Sequence, residues 1–393
     1  MTGRILVTGV TGFVGRSVAR ELLRAGRSNV VLARARDGVP AAARVAAAVG
    51  VTTDDERVEV IEGDLAAADC ALHARDWRSL QASVDTVIHC AGDTAFAPER
   101  LEPFEAGHVG GPCRLLEGLA AGGLRRWVHV STAYVCGQRQ GLIRESEGDL
   151  GQAFHNVYER VKLASEAGLR AAGARAGVEV QIARPDIVVG PAPLTGGGAP
   201  SNLFFDFVRL TATLAALGAD RPLTLRIEAA ARARFNFVPL DYVASALVHL
   251  ADPDGLAADV PSAHNARRDP VEPQPNSGSD TVHLVAHDPP TQGEVLETIT
   301  ERLGVRGLTL VDALDDPSPL ERRVARMLRG YRPYLGGHVT FDDTNARRVL
   351  PPALWRRATL SRRALHALID LALTTEGPRA VTRWRLESAR SLP

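Results

Sequence analysis

Lysine is almost absent from this sequence. The 393 residues include 46 lysines and arginines, and Lys162 is the only lysine among them. Arginine supplies the positive charge everywhere else in the chain. The two side chains differ in shape, because an ammonium is a compact donor whereas a guanidinium is wide and planar. The single lysine therefore indicates a position that arginine would fill poorly.

Several other features are also scarce. Aromatic residues make up 5% of the chain, and the formal net charge is zero. No uncharged apolar run reaches the roughly 18 residues that a membrane-spanning helix requires. These absences argue against an aromatic-rich β-sandwich, a nucleic-acid partner and a membrane span.

The cysteines and histidines form no recognisable metal-binding pattern. The four cysteines (Cys70, Cys90, Cys113 and Cys136) include no C-x-x-C pair, and the eleven histidines include no H-E-x-x-H. We therefore expect reduced cysteines and no metal site. The first predicted strand begins close to Met1, which leaves no room for a signal peptide, so we expect a cytoplasmic protein.

Short apolar runs alternate with helical patterns through the first half of the chain. The predicted strands cover residues 4–9, 29–34, 57–65, 84–92, 125–132 and 178–190. Such alternation indicates right-handed βαβ units and a doubly wound parallel sheet in an α/β fold of the Rossmann type.

A glycine-rich loop joins the first predicted strand to the first predicted helix. The stretch TGVTGFVGR holds Gly9, Gly12 and Gly15 in a G-x-x-G-x-x-G pattern. Glycines allow the backbone to approach a pyrophosphate, and the N-terminus of the following helix stabilises its negative charge. In this position the motif predicts a dinucleotide site.

The end of the second predicted strand indicates which dinucleotide binds. An NAD site usually has an acidic residue there for the ribose 2′-OH, whereas an NADP site has an arginine. Arg34 occupies this place, Arg36 is nearby, and Arg16 follows the last loop glycine. Three guanidiniums suit a 2′-phosphate, so we expect NADPH although Asp37 stands beside them. We expect Asp64 to reach the adenine or, alternatively, to cap a helix.

Tyr158 and Lys162 lie four residues apart in the stretch VYERVK. On a helix they share one face. A phenol with a pKa of about 10 is a poor acid or base at neutral pH unless a neighbouring cation stabilises its phenolate. Lys162 can do this and can also bond a cofactor ribose. Upstream, Ser131 and Thr132 end the fifth predicted strand, where a hydroxyl can hydrogen-bond a substrate carbonyl oxygen or cap a turn.

Four stretches together resemble the extended short-chain dehydrogenase/reductase superfamily over about residues 1–265. They are the glycine loop, HVSTAYVCG, YERVK and RPDIVVG. VHVSTAYV, FNFVPLDYVA and FDDTNA are more similar to the branch that contains thioester reductases and fatty acyl-CoA reductases than to the sugar-nucleotide epimerases. The resemblance implies that Thr132 is the catalytic hydroxyl, with Ser131 one position before it. It also implies that Tyr158 is the acid/base and Lys162 its partner.

The same resemblance implies a set of cofactor contacts. Arg184, Pro185 and Val188 match the segment that flanks the nicotinamide. The other expected contacts are Gly9, Thr11, Gly12, Phe13, Val14, Gly15, Arg16, Arg34, Arg36, Asp64, Leu65, Cys90, Ala91, Gly92, Tyr158 and Lys162. His108 stands where the family often has an asparagine that supports a water-linked proton route behind the lysine. Whether His108 takes over this role is left open.

Beyond Gly190 the alternation becomes irregular. Residues 234–250 predict a strand and a helix that return to the main sheet, and Gly/Pro-rich segments occupy 191–200 and 267–280. From residue 321 onward there are 15 arginines against 6 acidic residues, which is typical of a solvated helical surface, although an acidic partner is an alternative. We predict an NADP-binding Rossmann domain at 1–190 and 234–266, a substrate-binding or lid region at 191–233 and 276–345, and an Arg-rich helical tail at 346–393.

The function predicted from these residues is NADPH-dependent reduction of a carbonyl. The substrate is a small molecule or a CoA- or carrier-bound acyl thioester, or an aldehyde or ketone of a biosynthetic pathway. One alternative is a nucleotide-sugar epimerase or dehydratase with bound NAD, which Arg34 disfavours. Another is a non-catalytic cofactor-binding scaffold, which the presence of both Tyr158 and Lys162 disfavours. The oligomeric state is left open, with a homodimer as one alternative.

Overall fold

The computed structural model describes residues 4–191, 202–217, 224–253 and 280–374. The Gly/Pro-rich segments predicted at 191–200 and 267–280 lie almost wholly outside these ranges. The described strands are β1 (Arg4–Thr8), β2 (Asn29–Ala33), β3 (Val58–Glu62), β4 (Val84–His89), β5 (Arg126–Val130), β6 (Gly141–Ile143), β7 (Glu179–Pro185), β8 (Ile187–Val189), β9 (Leu225–Glu228), β10 (Phe237–Pro239), β11 (Thr281–Leu284), β12 (Leu308–Val311) and β13 (Val339–Phe341).

Helices of varied length connect these strands. They are α1 (Phe13–Arg24), α2 (Ala41–Val49), α3 (Ala74–Ser83), α4 (Leu101–Glu105), α5 (Gly111–Ala120), α6 (Val157–Ala176), α7 (Leu203–Leu217), α8 (Leu240–Ala251), α9 (Gln292–Leu303), α10 (Pro319–Met327), α11 (Arg332–Gly336), α12 (Thr344–Val349), α13 (Pro352–Trp355) and α14 (Arg362–Thr374). A π-helical turn at Ala106–Gly110 joins α4 to α5, and a short 3₁₀ helix spans Ala133–Cys136. None of the helices in the described ranges has the length and apolar composition to cross a bilayer.

The main sheet has seven strands in the order β11-β7-β5-β4-β1-β2-β3, and every neighbouring pair is parallel. The predicted doubly wound α/β sheet is therefore confirmed. Successive strand residues point to opposite faces, so Leu6 contributes to one core and Val7 to the other. Helices α1 and α8 cover the face of Val7, and α3, α5 and α6 cover the face of Leu6.

A third hydrophobic core lies outside the main sheet. It includes buried side chains of α7, β9, α9, α10 and α14, among them Phe204, Phe205, Ile299 and Ile369. Strands β9 and β12 pair in parallel within it. We call this unit the second lobe.

Two predictions about the later segments are wrong in detail. Strand β10 pairs with β8 in a separate two-stranded sheet and does not rejoin the main sheet. Strand β11 falls within the predicted lid region, yet it forms the edge of the main sheet beside β7. The Arg-rich tail predicted at 346–393 is described only as far as residue 374, and this part is helical, with α12 packed on β11 and α14 packed on α7 and α9. Short apolar strands do not indicate from sequence which sheet they join.

Candidate active site

The glycine loop follows β1 at the carboxyl edge of the main sheet. Gly9 has a φ of +75°, and a Cβ there would lie 2.5 Å from the Ala91 nitrogen. A Cβ on Gly15 would overlap the Gly9 carbonyl oxygen. The loop thus needs glycine at both positions. Gly12 is the N-cap residue of α1 and has no side chain that could bond the first helical N–H groups. These N–H groups therefore suit an anionic pyrophosphate.

The segment after β4 lies directly against this loop. The backbone N–H of Cys90 donates to the Thr8 carbonyl at 3.3 Å, and that of Ala91 donates to Thr8 Oγ1 at 3.2 Å. A Cβ on Gly92 would lie 3.0 Å from His108 Nε2 and 3.8 Å from Lys162 Nζ. Predicted cofactor residues of two segments therefore meet. Thr8 was not among the predicted residues, although a buried threonine at the end of an apolar strand is a visible signal.

The charged residues expected around the 2′-phosphate occupy different environments. Arg34 Nη1 lies 3.6 Å from Asp64 Oδ2, and both side chains are exposed. Arg36 is exposed beside Asp37. Arg16 is buried, and its guanidinium donates to the carbonyls of Gly12 and Thr11 at 3.0 and 3.3 Å. Arg34 and Asp64 are thus brought together, whereas Arg16 bonds the glycine loop itself.

The remaining predicted cofactor residues lie at the edges of these elements. Phe13 and Val14 are the first residues of α1, and Pro185 is the last residue of β7. Val188 pairs with Val238 between β8 and β10. Leu65 follows β3, and its carbonyl accepts a hydrogen bond from Arg114 at 3.1 Å.

Helix α6 carries Tyr158 and Lys162 on one face. Lys162 is buried, and its Nζ donates to the Val130 carbonyl at the end of β5 at 2.6 Å. Burial lowers the pKa of Lys162 to about 8, against the opposing charge of Glu166. Burial and the charge of Glu159 raise the pKa of the Tyr158 phenol above its usual value. We expected Lys162 to lower the pKa of Tyr158. In the protein without a bound cofactor the effect of burial is larger, because desolvation disfavours the phenolate.

Ser131 and Arg184 converge on Glu166, one turn beyond Lys162. Ser131 Oγ donates to Glu166 Oε1 at 2.5 Å. Arg184 Nε and Nη2 donate to the two carboxylate oxygens at 2.9 and 2.7 Å, and its Nη1 donates to the Glu147 carbonyl. The Arg184 guanidinium is buried and bonded to protein groups, and the cofactor contact expected of Arg184 stays a prediction. Glu166 was missed from sequence, although its spacing of four from Lys162 places it on the same helical face.

Thr132 differs from its neighbour Ser131. Its Oγ1 accepts a hydrogen bond from the Tyr134 N–H at 3.2 Å and caps the short helix 133–136. A hydroxyl oxygen that accepts one hydrogen bond can still donate its own proton. Thr132 therefore presents a donor at the carboxyl end of β5.

His108 lies behind Lys162 in the π-helical turn. Its Nδ1 and Nε2 lie 2.8 and 3.0 Å from the carbonyl oxygens of Phe104 and Asp93. Burial and the charge of Lys162 lower the pKa of His108. Single π-helical turns are frequent at functional sites. The ring is thus a hydrogen-bonding group close to Lys162, and in its neutral form it can donate to only one of the two carbonyl oxygens.

A parallel sheet of this order, with a glycine loop and a Tyr-x-x-x-Lys helix at one edge, defines an α/β dinucleotide-binding protein. The family described as male sterility protein matches residues 7–247, which is more than half of the chain. A carboxylic acid reductase of Segniliparus rugosus is 27% identical over 279 residues, 64% of this chain and 23% of that protein. A carboxylic acid reductase of Mycobacterium tuberculosis is 28% identical over 279 residues, 63% of this chain and 23% of that protein. The chain thus corresponds to about a quarter of the length of these relatives.

Solved structures agree on the fold. The terminal R domain of the myxalamid PKS-NRPS pathway superposes with a TM-score of 0.68 at 22% identity and covers 95% of this chain and 91% of that one. The UDP-glucuronic acid 4-epimerase of Bacillus cereus gives a TM-score of 0.63 at 17% identity and covers 96% and 99%. The chain belongs to the male sterility protein family, in the thioester reductase-like branch of the extended short-chain dehydrogenase/reductases. It contains an NAD(P)-binding domain.

Proposed function

We propose that this protein is an NADPH-dependent reductase that acts on the carbonyl of an acyl thioester, or on an aldehyde or ketone. The observation that carries the proposal is the position of the Lys162 ammonium. Lys162 lies one helical turn beyond Tyr158, is buried and donates to the Val130 carbonyl. This contact joins the end of β5, and with it Thr132, to the helix of Tyr158. This contact supports a shared site for Thr132, Tyr158 and Lys162, three groups suited to carbonyl reduction.

Each of these residues has a distinct task in the proposed reaction. The bound cofactor supplies a hydride to the carbonyl carbon. The Thr132 hydroxyl donates a hydrogen bond to the carbonyl oxygen, and the Tyr158 phenol transfers its proton to that oxygen as negative charge develops. The Lys162 ammonium stabilises the phenolate that remains and bonds the cofactor ribose. Ser131 acts indirectly, because its hydroxyl is bonded to Glu166.

The preference for NADPH rests on Arg34 and Arg36. Both guanidiniums are exposed at the end of β2, and Arg34 has only a loose ion pair with Asp64 at 3.6 Å. A 2′-phosphate would give Arg34 a stronger, charge-assisted partner. Asp64 Oδ1 accepts the Ala66 backbone N–H at 3.0 Å, so Oδ2 is the oxygen that would then face the adenosine.

The acyl thioester is the preferred substrate class because of the relatives. Two of them are carboxylic acid reductases, and the R domain belongs to a PKS-NRPS pathway. We infer that the second lobe forms the substrate side of the cleft and that the sheet with α1–α6 forms the cofactor side. The predicted domain division then needs one change, which is to assign β11, α12 and α13 to the domain of the main sheet.

The test is a cofactor and substrate panel on the unaltered protein. Oxidation of NADPH and of NADH is followed by absorbance with acyl-CoAs, aldehydes and ketones, each against a blank without substrate. We expect NADPH oxidation with at least one carbonyl class and a much slower reaction with NADH. NADPH binding without turnover on any class would contradict the proposal.

A nucleotide-sugar epimerase is the second candidate. A UDP-glucose 4-epimerase of Streptomyces lividans is 33% identical over 147 residues, which is 35% of this chain. Such an enzyme recycles its cofactor, so it would be purified with bound NAD⁺ and would turn over without added cofactor. Mass spectrometry of the nucleotide released on denaturation separates the two candidates, and we expect no retained NAD⁺.

A further inference from the structure

Tyr334 hydrogen-bonds two residues that flank Tyr158 at the start of α6. Its hydroxyl donates to Glu159 Oε1 at 2.6 Å and accepts a hydrogen bond from Asn156 Nδ2 at 2.8 Å. Asn156 is the N-cap residue of α6, and Tyr158 lies between it and Glu159 in the chain. A single hydroxyl therefore bonds both ends of the segment 156–159, which carries the proposed proton donor.

This segment also has capping bonds of its own. Asn156 Oδ1 accepts the Glu159 backbone N–H at 3.0 Å, and Glu159 Oε2 accepts the His155 backbone N–H at 2.9 Å. Side chains at a helix start commonly make reciprocal bonds of this kind. Neither of these two bonds involves the second lobe. The bonds to Tyr334 are therefore additional to the caps and come from outside the helix.

Tyr334 lies in α11 and is anchored in the second lobe. Its backbone carbonyl accepts a hydrogen bond from Gln292 Nε2 at 3.4 Å. The next residue, Leu335, is buried in the core of the second lobe, and its carbonyl accepts the Ala230 N–H at 2.9 Å. The Tyr334 hydroxyl thus reaches the first turn of α6 from a different unit of the fold.

The Tyr334 ring contacts the segment that carries the other proposed hydroxyl group. It packs edge-on against the ring of Tyr134, with the ring centroids 4.8 Å apart. Tyr134 lies two residues after Thr132, and its N–H donates to Thr132 Oγ1 at 3.2 Å. Tyr334 therefore contacts both segments, the one at Thr132 through its ring and the one at Tyr158 through its hydroxyl.

We propose that Tyr334 is a positioning residue that holds the phenol of Tyr158 in its reactive place relative to Thr132. Both hydroxyl groups must reach the same carbonyl oxygen, so their separation has to be fixed. The ends of helices fray, because their first N–H groups lack partners within the helix. A bond from the second lobe opposes this motion at the turn of Tyr158. The inference rests on the proposed function and gives the second lobe a part in reactivity as well as in substrate binding.

The first test compares Tyr334→Phe with the unaltered protein in carbonyl reduction by NADPH. This substitution removes the hydroxyl and keeps the ring that packs against Tyr134. We expect kcat to fall by about tenfold, because a small displacement of a reacting group has a large effect on the rate. The dissociation constant for NADPH should stay the same, since the glycine loop is untouched. An unchanged kcat would overturn the proposal.

Tyr331→Phe is the matched control. Tyr331 directly precedes α11, and its hydroxyl donates to Asp206 Oδ2 of α7 at 2.8 Å. Both substitutions remove a tyrosine hydroxyl from a carboxylate, so we expect similar small changes in the free energy of unfolding. Only Tyr334→Phe should lower kcat. An equal loss of kcat in Tyr331→Phe would show a general effect of destabilising the second lobe, which contradicts the proposal.

The Tyr158→Phe background shows whether Tyr334 acts through Tyr158. This variant lacks the phenolic hydroxyl that Tyr334 is proposed to position. Adding Tyr334→Phe should therefore cause no further loss of its residual kcat, because residues that act as a unit are not additive. A second tenfold loss in the double variant would show that Tyr334 acts on another group, and the proposal would be wrong.

Amide hydrogen exchange gives a readout that does not depend on turnover. Exchange of residues 155–162 is followed by mass spectrometry and compared with that of residues 166–176 in the same helix. Tyr334→Phe should speed exchange in the first segment alone, and Tyr331→Phe should leave both segments unchanged. Equal exchange in Tyr334→Phe and the unaltered protein would overturn the inference. If the unaltered protein reduces no carbonyl, the proposed function is refuted, whereas faster exchange in Tyr334→Phe would still support the positioning of this turn by Tyr334.

Discussion

The cofactor side and the substrate side of this site are built in different ways. The cofactor side is local, since Gly9 and Gly15 lie in one loop and pack backbone against backbone. On the substrate side, Glu159 beside Tyr158 is bonded to Tyr334, which is 175 residues away. A short motif thus builds the glycine loop, whereas the first turn of α6, which carries Tyr158, is hydrogen-bonded to a distant part of the chain.

The largest expected effect separates the two sides directly. Tyr158→Phe removes the proton donor and should lower kcat by about 10²- to 10⁴-fold. The dissociation constant for NADPH should change little, because the glycine loop is untouched. Turnover and equilibrium cofactor binding are measured on the same preparation. Retained turnover would show that another group supplies the proton.

The buried ion pair between Glu166 and Arg184 should stabilise the fold as well as the face of α6 that carries Lys162. Glu166→Gln leaves Arg184 without its carboxylate and should reduce the free energy of unfolding by about 3–5 kcal/mol in urea denaturation. Glu117→Gln is the control, since its ion pair with Arg175 is exposed and should contribute little. Equal effects of the two substitutions would contradict this assignment.

The same pair predicts a pH dependence of stability. Burial alone would raise the pKa of Glu166, but Arg184 and the Ser131 hydroxyl hold it below the usual value. A lowered folded-state pKa stabilises the protein above the usual carboxyl pKa, and this contribution is lost as the pH falls through the folded-state value. The stability difference between the unaltered protein and Glu166→Gln should therefore shrink in acid.

Packing of the glycine loop is tested by Gly15→Ala. The added Cβ would overlap the Gly9 carbonyl, so NADPH affinity should fall by roughly ten- to a hundredfold. Gly148→Ala is the control, because no atom lies within 4 Å of its added Cβ and its backbone is not left-handed. Isothermal titration of both variants checks this, and unchanged affinity in Gly15→Ala would break the account of the loop.

The smallest expected effect concerns the choice of cofactor. Arg34→Ala should weaken NADPH binding by about tenfold, while NADH binding stays the same. The ratio of the two dissociation constants is the quantity to measure. A parallel loss for both cofactors would mean that Arg34 supports the loop and does not contact the 2′-phosphate.

Much of the fold was predictable because the strands at 4–8, 29–33, 58–62, 84–89 and 126–130 follow one another as buried apolar runs with helices between them. The position of β11 was not, since a strand of four residues with only two apolar side chains, Val282 and Leu284, fits either sheet. Within the site, Tyr158 and Lys162 were found from their spacing. The sequence could not show whether the side chains of Ser131 and Arg184 point to a ligand or to another protein group. In the structure both side chains hydrogen-bond the Glu166 carboxylate.

The lone lysine is the central claim, and Lys162→Arg tests it most directly. The Lys162 ammonium is buried and donates to the Val130 carbonyl at 2.6 Å. Because a guanidinium is wide and planar, we expect it to bond that oxygen and a cofactor ribose poorly from the same place. We predict that NADPH-dependent carbonyl reduction falls by about a hundredfold or more, although the variant keeps its positive charge. Full activity in Lys162→Arg would contradict the account.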